Sequence, residues 1–354
     1  MKKKFFIILF SILFCSNLTY AGVIVVKANP DKGFYVPYLL KTSKKTLDAK
    51  HLIVESNNTG SEGTTKAMII AAKRSLNHVY SNTIAKKLNY PLLMPVIPFG
   101  STDMEEDLKE TLPNPWDKWK YYFTQLDSDS LKIDDKKYQR FDLQLIAMID
   151  DARERLLKEN NQNIEDKVIM IGYASSSVFA ARFTFLHPER VAVAVGGSIG
   201  GLLPVPTNEI NGTKLMYPIG SYDYESITGK QFNLEEYKKT PQFYWQGTKD
   251  KSNSFNGFLV GRNIDGEEEI TDEEYEVVKK LFVNDLPFDA KKVSLKTNTI
   301  IWENSQKYIN QIVANVKFES PKGLRHTDAG PGIGPKMTKK LKNKSVEFIR
   351  ENLN

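Results

Sequence analysis

Residues 168 to 186 constrain the fold most, because they predict a buried strand that turns sharply into a helix. The strand is indicated by the apolar run Val168–Ile171, and an apolar helical pattern follows over Ser175–Leu186. A strand-to-helix turn of the form G-x-S-x-G lifts a nucleophilic serine above a sheet. Gly172 stands at the first position of that pattern, and Ala174 stands where the serine is expected. Alanine has no group that can attack a carbonyl carbon.

Steric fit fixes the register of this turn. Strand and helix pass close together there, so the residues two before and two after the central residue must be small. Centring on Ala174 places Gly172 and Ser176 at these positions. Centring on Ser175 places the bulky Tyr173 at one of them, and centring one residue later places a β-branched valine there. Ala174 is therefore the best match, and Ser175 is a weaker second candidate.

Apolar runs and helical patterns alternate along the chain, which is typical of a mostly parallel sheet with helices on both faces. The predicted strands are Val23–Val26, Val36–Leu40, Leu52–Glu55, Leu92–Ile97, Val168–Ile171, Val191–Val195, Phe243–Trp245 and Val313–Phe318. The predicted helices are Thr64–Leu88, Phe141–Lys158, Ser175–Leu186, Trp302–Ile312 and Met337–Asn352. The sequence thus predicts an eight-stranded α/β domain whose first two strands are antiparallel.

Three long irregular stretches, near residues 99–140, 202–240 and 251–299, interrupt this alternation. Loops of this length inside a domain usually carry function. Because they follow predicted parallel strands, we expect them to lie over the carboxyl ends of the sheet as a cap.

The first 21 residues predict a secretory signal peptide. Lys2–Lys4 form a basic start, Phe5–Phe14 form an apolar core, and Thr19–Ala21 form a small-residue cleavage site. Residues 22–354 are then a single exported domain with no stable membrane anchor, in the periplasm or outside the cell. Cys15 is the only cysteine and lies in the signal segment, so we expect neither a disulfide nor a cysteine-based metal site.

Charge and motifs exclude several function classes. The formal charge of +6 becomes +3 once the three signal lysines are removed, and we expect no nucleic-acid partner. The lysine-rich last ~20 residues also carry an apolar helical pattern, which favours a solvated helix face. No H-E-x-x-H motif or carboxylate cluster indicates a metal, and no cofactor is expected.

Two further residues stand where a catalytic acid and base would follow the nucleophile. Asp250 lies in a glycine-containing turn just after the seventh strand, and His326 lies in a glycine-containing loop after the eighth. Nucleophile, acid and histidine follow in this order in hydrolases with this kind of turn. His187 ends the helix that begins at Ser175, and we interpret it as a helix C-cap.

Backbone N–H groups can stabilise an oxyanion whatever the side chains are. We expect one donor at Ser175, directly after the central residue of the turn. The other is expected in the loop after the third strand, at Asn58 or Thr59.

These motifs make the chain similar to exported bacterial α/β-hydrolases of the esterase/lipase-like serine hydrolase superfamily, whose turn has the form G-[FY]-S-A-S-G-x-F. Further similar segments are 52–60, 141–151, 182–191 and 217–220. The resemblance implies an α/β-hydrolase fold, ester-type chemistry, and a triad of Ala174 at the nucleophile position, Asp250 as acid and His326 as base. The chain departs from the family pattern at Ala174 and at Ser177, where the family has glycine.

Three functions remain open at this stage. The first is a hydrolase-like protein that is impaired in classical serine hydrolysis and acts by binding a small molecule, an ester or a protein partner. The second is an active carboxylesterase-like enzyme that uses Ser175 with His326 and Asp250. The third is an interaction protein that uses its cap loops, for which the sequence specifies no protein partner.

Overall fold

The chain folds around one eight-stranded sheet, whose strands lie side by side in the order β1 Gly22–Val26, β2 Tyr38–Thr42, β4 Leu92–Pro95, β3 Ile53–Val54, β5 Val168–Tyr173, β6 Val191–Gly197, β9 Gln242–Trp245 and β12 Val316–Glu319. The computed structural model describes residues 22–57, 63–99, 101–110, 123–252, 260–262, 268–270, 272–284, 286–326 and 335–353. Strand β2 runs antiparallel to both of its neighbours, and the pairs from β4 to β12 are parallel.

Two small hairpins lie outside this sheet, β7 Glu209–Ile210 with β8 Thr213–Lys214, and β10 Val260–Arg262 with β11 Glu268–Ile270. The described α-helices are α1 Thr65–Ser75, α2 Tyr80–Leu88, α3 Thr102–Asp107, α4 Ser128–Lys132, α5 Phe141–Asn160, α6 Ser175–Leu186, α7 Tyr224–Thr228, α8 Leu234–Lys239, α9 Asp272–Val277, α10 Leu295–Asn310 and α11 Pro335–Leu353.

Along the central strands, alternate side chains point into two separate hydrophobic cores. On β5, Val168 and Met170 join the core that also contains the apolar residues of α5, α6 and α10. Ile169 and Ile171 point the other way, into the core formed with α1, α2 and α11. This period of two is the reason why continuous apolar runs such as Val168–Ile171 predicted strands buried on both faces.

All eight predicted strands are confirmed, but the first predicted helix was too long. Thr64–Leu88 is two helices, α1 and α2, separated by residues 76–79. Asn77 fixes the break, because its side chain accepts from Lys41 Nζ at 2.8 Å and its carbonyl accepts from Asn82 Nδ2 at 2.7 Å. Such side-chain bonds to the backbone compete with helix continuation.

Helix α10 begins at Leu295, seven residues before the predicted start at Trp302. Ser294 is the N-cap, and its hydroxyl accepts from Thr297 N–H at 3.1 Å. The polar, β-branched stretch before Trp302 lacks an apolar helical pattern, so only the capping serine could have indicated this start.

The long stretches between predicted elements contain structure of their own, which corrects their prediction as irregular. The stretch 202–240 forms a hairpin and two short helices, α7 and α8. Its apolar residues, including Tyr217 and Tyr237, join the core on the α5 side of the sheet. Parts of the stretches 99–140 and 251–299 lie outside the described residues. The described parts contain α3 and α4 in the first stretch, and α9 and the start of α10 in the second.

A buried charge cluster ties the start of α5 to the end of α6. His187 is the C-cap of α6, as predicted, and its Nε2 lies 2.8 Å from Asp142 Oδ2. Arg140 donates two further bonds to the same carboxylate, at 2.9 and 2.7 Å. Burial on its own would raise the pKa of Asp142, but the bonds from His187 and Arg140 hold that pKa well below its usual range.

Asp142→Asn is expected to destabilise the protein by about 3 kcal/mol or more, because it leaves Arg140, whose side chain is only 19% exposed, without its counter-charge. Asp150→Asn on the same helix is the matched control. Its carboxylate is 42% exposed and pairs with Arg153 and Arg190, so the expected loss is below about 1 kcal/mol. Urea unfolding of both variants measures the difference, and equal losses would contradict the structural role of Asp142.

Candidate functional site

Ala174 lies at the turn between β5 and α6 in a conformation that non-glycine residues rarely adopt. Its φ is 57° and its ψ is −126°. The turn is held by Ala174 N–H, which donates to Gly197 O at 2.9 Å, and by Ala174 O, which accepts from Ser177 N–H at 2.9 Å and Val178 N–H at 3.2 Å. A strained residue at the carboxyl end of a strand costs on the order of 1–3 kcal/mol, and such strain is typical of functional sites.

Gly172 is required by the close approach of strand and helix. A Cβ atom built at Gly172 would lie 2.1 Å from the carbonyl oxygen of Ser176. No side chain fits in that space, which agrees with the steric argument that places Ala174 at the centre of the turn. The alternative register on Ser175 would move Tyr173 into this crowded position.

The hydroxyl of Ser175 points to Thr124 rather than to the predicted base. Its Oγ lies 3.5 Å from both the carbonyl oxygen and the hydroxyl of Thr124, in the 3-10 helix Phe123–Gln125. Among the described residues it makes no hydrogen bond to His326 or Asp250.

The structure brings Asp250 and His326 together. His326 Nδ1 lies 3.3 Å from each carboxylate oxygen of Asp250. The Asp250 side chain is fully buried, whereas the His326 side chain is 36% exposed. Burial would raise the pKa of Asp250, but hydrogen bonds from His326 and Ser252 outweigh it and lower that pKa. Asp250 is therefore an ionised partner for His326.

Backbone hydrogen bonds between the loops after β9 and β12 hold His326 close to Asp250. Lys249 N–H donates to Leu324 O at 3.0 Å, and Thr248 N–H donates to Pro321 O at 3.1 Å. A Cβ at Gly247 would lie 2.3 Å from Leu324 O, so the glycine allows the two loops to touch.

Two residues that the sequence did not single out position this pair. The ring of Tyr173 stacks on the ring of His326, with centroids 5.5 Å apart, and its hydroxyl donates to the His326 carbonyl. Asn298 of α10 donates to the carbonyl oxygens of Asp250, at 3.2 Å, and Ser252, at 2.7 Å. An aromatic residue directly before Ala174 was visible in the sequence, but no local signal marked Asn298.

Behind the turn lies a buried carboxyl group that the sequence did not reveal as part of the site. Glu55 Oε2 accepts from Ser81 N–H at 2.8 Å, and Glu55 Oε1 lies 3.0 Å from Ser176 Oγ. Ser176 Oγ also accepts from Tyr173 N–H at 2.8 Å and lies 2.9 Å from Tyr173 O. Burial raises the pKa of Glu55 to about 7, although the bonds from Ser81 and Ser176 oppose this rise.

The number of hydrogens available for these contacts indicates whether the network fits the ionised or the protonated form of Glu55 better. The Ser176 hydroxyl has one hydrogen, but Tyr173 O and Glu55 Oε1 both lie within bonding distance. When Glu55 carries a proton, it donates to Ser176 Oγ and Ser176 donates to Tyr173 O, so each contact is a hydrogen bond.

One of the two predicted oxyanion donors lies at the described turn. Ser175 is the first residue of α6, and its N–H has no acceptor among the described residues. Asn58 and Thr59, predicted to provide the second donor, lie outside the described residues. The residue before them, Asn57, is anchored by a pair of bonds with the backbone of Ile97 at 2.9 and 3.0 Å.

The arrangement supplies a base with its orienting acid and a free backbone donor at the carboxyl ends of the central strands. Ala174, at the strained turn, supplies only a methyl group. Such a set can polarise and bind a carbonyl group or orient a water molecule, but it cannot form a covalent acyl intermediate at residue 174.

Comparison with solved structures confirms the predicted α/β-hydrolase fold. Poly(aspartic acid) hydrolase-1 from Sphingomonas sp. KT-1 superimposes with a TM-score of 0.51 at 13% identity, over 93% of this chain and 99% of that chain. LpqC, a poly(3-hydroxybutyrate) depolymerase from Bordetella parapertussis, gives a TM-score of 0.47 at 12% identity, over 94% and 90%. No family model matches the chain, and no curated protein matches it by sequence.

The described part of the chain shows neither a metal-binding cluster nor a membrane-spanning helix. No group of three or more His, Cys, Asp or Glu residues there is arranged to hold a metal ion. None of the helices described is both long and apolar enough to cross a bilayer.

Glu55→Gln is expected to change how stability depends on pH. The pKa of Glu55 is raised from 4.5 to about 7 on folding, so the free energy of unfolding falls as pH rises through this interval and is highest below it. The loss is on the order of 3 kcal/mol, and a neutral glutamine removes it. Thermal melting from about pH 4 to pH 8 should therefore show a flatter profile for the variant.

The control for this prediction is Glu165→Gln, which removes a carboxylate that is exposed to solvent, whereas Glu55 is buried. Its pH profile should follow that of the native protein. If Glu55→Gln also follows the native profile, Glu55 is ionised at no cost and the hydrogen count above is wrong.

Proposed function

We propose that the protein is an exported α/β-hydrolase-like protein in which Ala174 occupies the nucleophile position, so that it binds a small molecule or an ester without classical serine hydrolysis. The observation that carries the proposal is the strained backbone of Ala174 between β5 and α6, beside a bonded Asp250–His326 pair. The predicted signal peptide supports an exported location.

The chemistry of the pair supports binding rather than turnover. His326 keeps an orienting acid, and Ser175 N–H lacks a described acceptor, so a ligand carbonyl or carboxylate could be bonded from both. In a serine hydrolase with the same logic, loss of the serine lowers kcat on the order of 10⁶-fold. Without a serine, the Ser175 N–H and His326 can assist a bound water molecule only weakly.

Ala174→Ser is expected to create or raise esterase activity on p-nitrophenyl esters of short and medium acyl chains. The turn already holds residue 174 at φ 57°, so serine adds one oxygen without a new backbone conformation. An increase of at least about 100-fold over the native protein is expected, together with labelling by a fluorophosphonate.

Two matched variants control this experiment. Ala174→Ser combined with His326→Ala should lose the gained activity, because the new serine then lacks its base. Ala174→Gly changes the same position without adding an oxygen and should stay inert. If Ala174→Ser folds but neither labels nor turns over, Ala174 does not occupy the nucleophile position and the proposal fails.

The alternative is an active carboxylesterase-like enzyme that uses Ser175. Three consecutive serines after Ala174 motivate it, but the Ser175 hydroxyl contacts Thr124 and lies one helical position, about 100°, beyond the turn. Native turnover that Ser175→Ala abolishes would establish this alternative. We expect the native protein and Ser175→Ala to be equally inert toward the same esters.

A further inference from the structure

One side of the sheet carries helices whose charge is almost entirely positive. Helices α1, α2 and α11 all pack on this side, in the core that contains Ile169 and Ile171. Two hydrogen bonds join α2 to α11, from Tyr80 to Ser345 at 3.0 Å and from Lys87 to Asn343. The basic face is defined as Lys66, Lys73, Arg74, Lys86, Lys87, Lys339, Lys340, Lys342, Lys344 and Arg350.

The charge of this face is opposed by few acidic residues. Along α1, α2 and residues 339–353 the only carboxylates are Glu347 and Glu351, so the ten basic residues are in excess by eight. Residues 22–354 have a net charge of +3 in total, and the remainder of them is therefore at −5. The positive charge of the molecule is concentrated on one side.

Most of the basic face lacks an ion pair with the described residues. Lys344 pairs with Glu319, and Glu351 of the same helix pairs with Lys317 of β12. The opposite side of the sheet differs, because on α5 the carboxylates of Asp150, Asp151 and Glu154 each pair with a cation. These three carboxylates are neutralised within the fold, whereas most cations of the basic face have no such partner among the described residues.

Lys41 of β2 lies close to the α2 part of the basic face, where it donates to Asn82 of that helix at 2.8 Å. Burial lowers the pKa of Lys41, next to α2, and the charge of Lys86 lowers it further. Lys339, Lys340 and Lys344 line an open groove of about 400 Å³ together with Asn343 and Glu347. Clustered cations of this kind raise the positive potential of a surface and attract anions.

An exposed apolar side chain lies within the basic face. Ile70 of α1 is 45% exposed, and it follows Lys66 by four residues and precedes Lys73 and Arg74 by three and four. Residues at this spacing share one side of a helix. A large aliphatic side chain surrounded by basic groups fits the boundary between lipid headgroups and acyl chains.

We propose that the basic face is a docking surface for an anionic phospholipid bilayer, with Ile70 entering the headgroup region. Eight of its ten cations are lysines, which act as point charges toward phosphates and favour a fluid anionic surface over base-specific contacts. The interaction is peripheral and reversible, and it is independent of the function proposed for Ala174.

Co-sedimentation with vesicles tests this inference on purified protein comprising residues 22–354. Vesicles of phosphatidylcholine alone are compared with vesicles that contain about one third phosphatidylglycerol. Binding is expected to the anionic vesicles only. It should weaken on the order of tenfold or more when salt is raised from about 0.1 M to about 0.5 M, because screening shortens the reach of surface charge.

The variant that removes the α1 part of the face combines Lys66→Glu, Lys73→Glu and Arg74→Glu. Each cation near an anionic membrane strengthens binding on the order of fivefold, so the triple variant should bind at least about 100-fold more weakly. The matched control combines Lys158→Glu, Lys292→Glu and Lys296→Glu, which reverse three exposed lysines of α5, the loop before α10, and α10 itself. It carries the same net charge and should retain most of the binding.

Ile70→Ser separates the apolar contribution from the electrostatic one. It should weaken binding several-fold while leaving the salt dependence unchanged, because no charge is removed. Thermal melting verifies that all variants are folded. Equal binding to both vesicle types, or equal losses in the triple variant and its control, would overturn the proposal. Tight binding to duplex DNA without binding to vesicles would assign the face to nucleic acid instead.

Discussion

The rest of the site depends on the close approach of β5 and α6 at Gly172. With 2.1 Å between a hypothetical Cβ and the Ser176 carbonyl oxygen, only glycine lets the strand enter the helix at this angle. The angle forces Ala174 to φ 57°, and the strain persists because three backbone bonds over-determine the turn. The conformation of residue 174 is thus a property of the backbone and does not depend on which side chain stands there.

Retention of Asp250 and His326 has a structural cause as well as a chemical one. Asp250 is fully buried, and an ionised carboxylate in that position needs hydrogen-bond donors. His326 and Ser252 provide them, while Asn298 holds the backbone of the same turn. Loss of the pair would therefore cost stability even in a protein without turnover. Its presence supports a binding site, and the chemistry at residue 174 decides whether that site is catalytic.

The sequence predicted features that repeat or that obey local rules. Continuous apolar runs predicted all eight strands, and small-residue sterics placed Ala174 at the turn. Contacts between residues distant in sequence had no local signal. Glu55 meets Ser176 across 121 positions, and Asn298 meets Asp250 across 48. The break between α1 and α2 was missed because Asn77, which fixes it, bonds to Lys41 on a strand 36 residues earlier.

Charge patterning required the fold before it could be interpreted. In the sequence, the lysines of α11 indicate an ordinary solvated helix face, and those of α1 and α2 are unremarkable. The sheet brings the three helices to one side, where few acids accompany them, whereas the carboxylates of α5 are paired on the other side. The proposed ligand site lies at the carboxyl ends of the strands, whereas the basic face lies on helices that pack against one side of the sheet. Docking through this face is therefore independent of binding at the Asp250–His326 pair.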